Sequence, residues 1–379
     1  MKTIKSLFDL RLACTLLAGL VLAPAALAVG GKYVPAEGSV LPIIGQSCEA
    51  LGGVEGYASS GNDYFNGVVG AHPDLAPGAF TAYAFLREKA TTVTKWFWFI
   101  PYQQTTYSYY VTSLGADGCL DRFSSSQRYR NTALHLSLGI QDVNRQVAEG
   151  KFDAALVKLA KYIKGLDRPV YLRIGYEFDN LGHGNLDPYW FRKAWQRIVS
   201  QLWANGATNF ATVYASMFNE KTLLATPWSY EHYYPGDIYV DWVGFSWWGG
   251  ATPAPDKGMM AFARSKGKPV MIAESTPMFA TLSNPNLNAG YWWNNWFSPY
   301  FKFIDDNRDI VRSFHYISTD WALDSETFCD PLMPFYWPFC NRNSQVHVNS
   351  EIRSKWVEEL RKPGYLHASD ALFPALGYQ

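Results

Sequence analysis

Eight short runs of strand character are spread along this chain, and segments of helical pattern fall between several of them. They are "SVLPIIGQ" (39–46), "FTAYAFL" (80–86), "TALHLSLGI" (132–140), "PVYLRIGY" (169–176), "NFATVYAS" (209–216), "YVDWVGFSWW" (239–248), "PVMIAES" (269–275) and "VRSFHYIS" (311–318). Residues 152–163 place Phe152, Ala155, Leu156, Leu159, Ala160 and Ile163 on one helical face. Residues 187–204 open on Asp187 as N-cap with Pro188 at the first helical position, and carry the stripe Phe191, Ala194, Trp195, Ile198 and Leu202. Residues 256–266 stop before Gly267, which suits a left-handed C-cap, and 288–305 and 350–361 also have helical pattern. Alternating β and α over this length predicts a parallel sheet wrapped by helices, and eight strands favour an α/β TIM barrel, (β/α)8, as one catalytic domain. An open doubly wound sheet would bring a Gly-rich phosphate loop after its first strand, and "GQSCEALGG" is not one. Residues 48–130 are the least regular part of the pattern.

The N-terminus reads separately. Lys2 and Lys5 precede the apolar run "ACTLLAGLVLAPAALA" (13–28), which ends in the small-residue site Ala26-Leu27-Ala28. That pattern predicts a secretory signal peptide over 1–28, followed by a catalytic domain over 29–379. The run is short for a membrane span and contains Pro24. A secreted or periplasmic protein with no membrane span after processing is expected, and a monomer. Loss of residues 1–28 removes Lys2, Lys5, Arg11 and Asp9, so the 33 basic and 33 acidic groups become 30 and 32. Such a balance argues against a nucleic-acid partner. Four cysteines then remain, Cys48, Cys119, Cys329 and Cys340, and an even number in an exported chain suggests two disulfides with three possible connectivities. The short spacing of Cys329 and Cys340 around "DPLMPFYWPF" favours a local staple, leaving Cys48–Cys119. Scattered histidines and the lack of a CxxC pair predict no metal site, and no cofactor is expected.

Two strand candidates end on carboxylates. "RPVYLRIGYEFDN" (168–180) runs apolar and delivers Glu177, and "GKPVMIAEST" (267–276) delivers Glu274, 97 residues later. Strand ends at the C-terminal face of a barrel are where its chemistry sits, and the fourth and seventh strands face each other across the mouth. Two carboxyls about 5–5.5 Å apart there would suit a retaining glycosidase, one attacking the anomeric carbon and the other protonating the leaving oxygen. A lone strand-end glutamate is more often structural; here Glu177 could pair with Arg173 and Glu274 could cap a following helix. The aromatic content fits a sugar partner. With 15 Trp, 24 Tyr and 23 Phe, clusters such as "WFWF" (96–99), "SWWGG" (246–250) and "YWWNNWF" (291–297) exceed what one core needs.

On these stretches, with "YYPGDIYVDWVGFSWWG" (233–249), the chain resembles glycoside hydrolase family 26, the mannanase-type branch of the (β/α)8 retaining glycosidases. The resemblance runs from "VPAEGSVLPIIGQ" (34–46) to "FHYISTDW" (314–321). It implies Glu177 as general acid/base and Glu274 as nucleophile, and Arg173 matches the family's fourth-strand pattern. The family's mannanases carry His directly before the acid and Tyr before that; here those positions are Tyr176 and Gly175. Mannan, mixed-linkage or β-1,3-glucan, β-1,3-xylan and a bacterial exopolysaccharide therefore all stay open as substrates. By position Trp247, Trp248 and Trp321 are expected as platforms for sugar rings, Tyr176 as a neighbour that tunes Glu177 or binds sugar, and Arg173 as a substrate-binding residue and as the cation that holds one carboxylate ionised. Asp179 is expected in loop structure, Asp237 and Asp241 as braces of the sixth strand, and His183 and His315 as structural histidines. An endo-acting retaining β-glycosidase is the first expectation. A polysaccharide-binding barrel without catalysis, or a transglycosylase using the same site, are the others.

Overall fold

The computed structural model describes residues 29–45, 64–114, 120, 121, 123, 126–180, 187–217, 229–249, 257–283, 289–324, 329, 331 and 339–379. The strands are β1 Leu41–Ile44, β2 Ala79–Phe97, β3 Ile100–Val111, β4 Ala133–Gly139, β5 Val170–Ile174, β6 Phe210–Ser216, β7 Trp242–Gly249, β8 Val270–Pro277 and β9 Val311–Tyr316. Their order is β1-β9-β8-β7-β6-β5-β4-β2-β3, and β1 pairs in parallel with β2. Eight parallel strands thus close into a barrel, and β3 is the antiparallel mate of the distal half of β2. All eight expected runs form barrel strands.

Two apolar surfaces follow from the pleat, because successive side chains point to opposite faces. Val170, Leu172 and Ile174 of β5 join the large outer core against the helices, whereas Tyr171 points inward with Leu41, Ile43, Val213, Trp242 and Met271. Leu372 and Leu376 close this inner cluster near the C-terminus. Thr81, His135, Ser137, Arg173, Ser313 and His315 are buried polar groups on the barrel strands. Helix α1 (Asp153–Gly165) buries Ala155, Leu156, Leu159, Ala160 and Ile163, the predicted stripe. Helix α2 (Pro188–Ala204) starts where Asp187 Oδ1 accepts from the Tyr189 amide at 2.8 Å. Helix α3 (Lys257–Lys266) ends at Gly267, whose φ of +60° is left-handed.

Two departures from the sequence expectation have local causes. The segment expected as one helix over 288–305 is an α-turn, Ala289–Trp292, a π-helical turn, Trp293–Phe297, and then α4 (Ser298–Asp306). Pro299 sits in the first turn of α4, and a proline inside a helix removes a donor and clashes with the preceding turn, so the chain widens before it. Trp292, Trp296 and Phe297 of "YWWNNWF" are consequently core, while Tyr291 is exposed; Trp296 stacks on Tyr300 at 4.9 Å. Helix α5 (Ser350–Leu360) is capped by Asn349, whose side chain accepts from the amides of Glu351 and Ile352.

The second departure is the β2–β3 hairpin. The expected strand stopped at Leu86, but β2 continues and pairs from Leu86↔Val111 to Phe97↔Ile100. Arg87, Glu88, Lys89 and Lys95 interrupt the apolar pattern, and most of the ribbon is solvent-exposed on both faces, so no inward/outward alternation marks it. Thr92 and Thr105 hydrogen bond across the strands at 2.8 Å.

Candidate active site

Both glutamates stand at strand ends, and each is aimed there by an irregularity. After β5 the chain turns through Gly175 at φ +53° and Glu177 at φ +50°. A side chain at 175 would meet Phe191 at 2.6 Å, so glycine is required on grounds of space as well as conformation. Left-handed backbone at a glutamate is strained and is retained where surrounding contacts fix it. Those contacts include Ser246 Oγ, donating to Glu177 Oε1 at 2.7 Å, and Trp248 Nε1, donating to the same oxygen at 2.9 Å.

Glu274 depends on a bulge. Along β8, Val270 and Ile272 join the outer core, while Met271 and Ala273 point inward, so strict alternation would send Glu274 outward. The register skips a residue: Phe245 pairs with Ile272, and Ser246 pairs with Glu274. That extra residue re-phases the strand and turns Glu274 into the mouth beside Ser246, a common use of a bulge near a functional site. Ser275 then faces outward, donating to the His315 carbonyl at 2.6 Å with its oxygen 2.9 Å from the Tyr300 hydroxyl. Ser246 therefore adjoins Glu274 in the sheet and bonds Glu177 through its hydroxyl, which gathers both carboxylates around one residue.

Their surroundings differ. Arg173 is fully buried and forms an ion pair with Glu274 through Nη2. The same guanidinium donates to Ser137 Oγ at 3.1 Å and to the Ala273 carbonyl at 3.3 Å. Tyr83, from β2, donates its hydroxyl to Glu274 Oε1 at 2.5 Å. Burial alone would push the Glu274 carboxyl up, but the Arg173 charge and the hydrogen bonds from Arg173 and Tyr83 outweigh it and hold the group below the usual carboxylate range. Burial and the adjoining charge of Glu274 keep the Tyr83 phenol protonated. Beneath the pair, burial holds His135 and His315 neutral, so Arg173 is not opposed by a second cation there. Both ring nitrogens of His315 lie against carbonyls, of Ala273 at 2.9 Å and Gly45 at 2.5 Å, and the neutral ring donates to one of them.

Tyr176 takes the place before the acid. Its ring meets Tyr83 edge-on at 5.3 Å and lies 4.8 Å from the Arg173 guanidinium carbon. It braces the cation that holds Glu274. Asp179 ties the end of β5 to β6, accepting from Ser216 Oγ at 2.5 Å and from the Met217 amide at 2.7 Å. Asp241 accepts from the Thr212 amide at 2.9 Å and Asp237 from the Tyr234 hydroxyl at 2.9 Å, both as braces. His183 and the proposed pair Cys48–Cys119 lie outside the described residues. Cys329 and Cys340 are joined by a disulfide.

Three expected positions are corrected. Trp247 does not face the mouth: β7 alternates, Ser246 and Trp248 point in, and Trp247 packs outward against Tyr300 and Phe303, 2% exposed. Trp321 is 4% exposed, with its indole N–H on Ser344 Oγ at 3.1 Å and its ring 4.8 Å from Phe339. It backs Phe339 instead of offering a free face. Arg173 is too deep to touch a sugar and acts on Glu274. Phe339, beside Cys340, is the rim aromatic missed from the sequence, lying 5.5 Å from Trp248. Its proximity to the Cys329–Cys340 staple was the available signal. Trp247→Ala is accordingly expected to cost about 3–5 kcal/mol of stability, as for other buried tryptophans. The value of KM should stay within twofold or so of the parent, since no contact in the mouth changes. Urea melts and steady-state kinetics on the same preparation check both.

No protein-family model matches the chain. It is 32% identical over 272 residues to the β-1,3-xylanase TXYA of a Vibrio species, a match covering 67% of this chain and 56% of that protein. A β-1,3-xylanase of an Alcaligenes species is 32% identical over 269 residues, covering 66% and 55%. The chain thus spans about half the length of the curated relatives it matches. Among solved structures it is similar to a modular endo-β-1,4-mannanase of glycoside hydrolase family 26 from Cellulomonas fimi, with TM-score 0.56 and 13% identity over 92% of this chain and 79% of that one. A family 26 β-mannanase from Bacteroides ovatus aligns with TM-score 0.50 and 12% identity over 88% and 92%. These structural likenesses carry the fold, a (β/α)8 barrel.

Proposed function

We propose that this chain, a glycoside hydrolase family 26-like barrel, is a glycosidase that cleaves a β-linked polysaccharide with retention of anomeric configuration. The observation that carries the reading is the arrangement around Ser246, with Glu274 ion-paired to Arg173 on one side and Glu177 hydrogen-bonded on the other. In the first step the Glu274 carboxylate attacks the anomeric carbon while the Glu177 carboxyl gives its proton to the departing glycosidic oxygen. The result is a glycosyl ester on Glu274 and a free sugar hydroxyl. In the second step Glu177, now ionised, takes a proton from water as the water oxygen displaces Glu274 from the same carbon. Two inversions give net retention.

A β-1,3-linked xylan is the substrate to try first, because the curated relatives are β-1,3-xylanases. Gly175 and Tyr176, in place of the mannanase pair, support a substrate other than mannan. Trp248 and Phe339 supply the aromatic rim for a sugar ring. Export is part of the proposal, through the signal pattern of residues 1–28 and cleavage after Ala28.

The test is a panel of β-1,3-xylan, β-1,3-glucan, mixed-linkage glucan and mannan assayed for new reducing ends, with the first-formed anomer read by proton NMR. Cleavage of one glycan, with the β-anomer appearing first, is the expected result. Initial α-anomer would overturn the double displacement, and failure to cut any of the four would favour the non-catalytic binding barrel. Longer oligosaccharides accumulating from short donors would identify transfer to sugar in place of water.

A further inference from the structure

The β2–β3 hairpin serves no part of the site described above. Its first strand is the part of β2 beyond the barrel, which continues from the segment whose Tyr83 reaches Glu274. From Leu86 to Phe97 the ribbon extends about 36 Å at the usual rise per residue. An isolated two-stranded ribbon is marginal in water, and this one ends in exposed apolar side chains. Trp96 is 66% exposed, Trp98 82%, Phe99 90% and Ile100 67%. By the register Trp96 pairs with Pro101 and Phe97 with Ile100, so Trp96 and Ile100 stand on opposite faces. The tip is apolar all round.

The turn itself is a second, independent observation. Phe97 and Ile100 pair across a two-residue connection, Trp98-Phe99, and Trp98 adopts φ +59°. Such turns are ordinarily built from Gly, Asn or Asp, which tolerate left-handed backbone. A tryptophan here opposes both hairpin stability and solubility, which points to a use for the ring outside the molecule. Charge narrows the partner. From Leu86 to Val111 the ribbon carries Arg87, Lys89 and Lys95 against one carboxylate, Glu88 at the barrel end, and the charge nearest the tip is Lys95. Both lysines share a face with Ile100, and Tyr102, opposite Lys95, is half-exposed there.

We infer that the hairpin tip docks on an anionic lipid bilayer, with Trp96, Trp98, Phe99 and Ile100 in the interfacial region and Lys95, two residues behind the tip, against acidic headgroups. Tryptophan and tyrosine settle at the headgroup level, and basic side chains behind an apolar edge add attraction to negative lipid. A convex tip that is apolar on both faces suits a medium that surrounds it. A sugar platform would need one flat aromatic face with polar partners, and two copies meeting tip to tip would bring lysines together. The unpaired edges of the ribbon keep it out of the hydrocarbon, so insertion stops at the tip. No helix among the described residues is long and apolar enough to cross a membrane.

The test is co-sedimentation of the full chain with vesicles of phosphatidylcholine alone and of phosphatidylcholine with phosphatidylglycerol. The expected result is binding about fivefold tighter to the anionic vesicles, from one lysine near the surface, weakening as salt is raised. The double variant Trp98→Ser with Phe99→Ser should lose at least about tenfold of that binding, and Lys95→Glu most of the preference for anionic lipid. Both variants alter only exposed side chains, and unchanged circular dichroism and melting temperature would show them folded. The inference is overturned by a parent that does not sediment with anionic vesicles, or by tip variants that bind as well as the parent. It is equally overturned if the tip variants lose affinity for insoluble β-glycan, or lose self-association, while vesicle binding is absent. These readouts do not depend on whether the barrel is catalytic.

Discussion

Glu274→Ala should lower kcat/KM on polysaccharide by roughly 10⁴-fold or more, the scale seen when a residue that forms the covalent intermediate is removed. The residue is the nucleophile of the proposed mechanism, and its Arg173 ion pair keeps the attacking oxygen ionised. Glu177→Ala should cost less and leave a different trace. Its contribution is proton transfer, worth about 10²–10⁴-fold, and little of that is needed for departure of an already acidic phenol. An aryl glycoside should therefore form the glycosyl ester at near-parental rate in Glu177→Ala and stall there, as a burst of phenol. Added azide separates the two roles. In Glu177→Ala it should attack the ester on Glu274 and give a β-glycosyl azide. In Glu274→Ala it should occupy the emptied side and give the α-glycosyl azide in one inversion. NMR of the isolated azides checks both, and exchanged products would reverse the assignments.

The barrel was legible because its strands are bounded by turn residues and its outer face is periodic. Asp187-Pro188 and Gly267 mark helix ends through chemistry that neighbours cannot override. The candidate site was legible as two strand ends, but not as a geometry. Nothing local in "MIAES" announces the bulge that turns Glu274 inward, since it arises from the pairing with β7. Tyr83 could not be singled out either. It is one tyrosine of an ordinary strand, and it reaches Glu274 only because β2 closes the barrel against β1. Trp247 and Trp248 show the limit from the other side. Adjacent aromatics in a strand must part company, and which one enters the mouth depends on the phase of the pleat. That phase could have been read from Trp242 inward and Val243 outward, had the interior been known. The hairpin was invisible because a ribbon wet on both faces has no hydrophobic period to detect.

Arg173→Met should show the ion pair in the pH dependence of both rate and stability. In the parent, Glu274 is held below its ordinary range, so it contributes stability at pH above the unfolded glutamate value and loses that contribution as pH falls through its folded value. Methionine fills much of the space but leaves Glu274 buried without its cation. Burial then dominates and the carboxyl moves up, which reverses the sign: the variant is favoured where Glu274 is protonated and penalised as pH rises. The stability gap between parent and variant should be small in acid and widen to about 3–5 kcal/mol at neutral pH, the cost of stranding one partner of a buried pair. Urea midpoints measured across that range give the gap directly. Activity should follow the same group, with kcat down roughly 10²–10³-fold, the range for loss of one preorganised electrostatic partner. The acidic limb of kcat/KM should move to higher pH, because the ionised nucleophile now forms later in the titration. Tyr83→Phe removes one hydrogen bond to the same oxygen and leaves the cation, so its limb should move in the same direction by less. Parallel stability profiles for parent and Arg173→Met would mean that the guanidinium is not what keeps Glu274 charged.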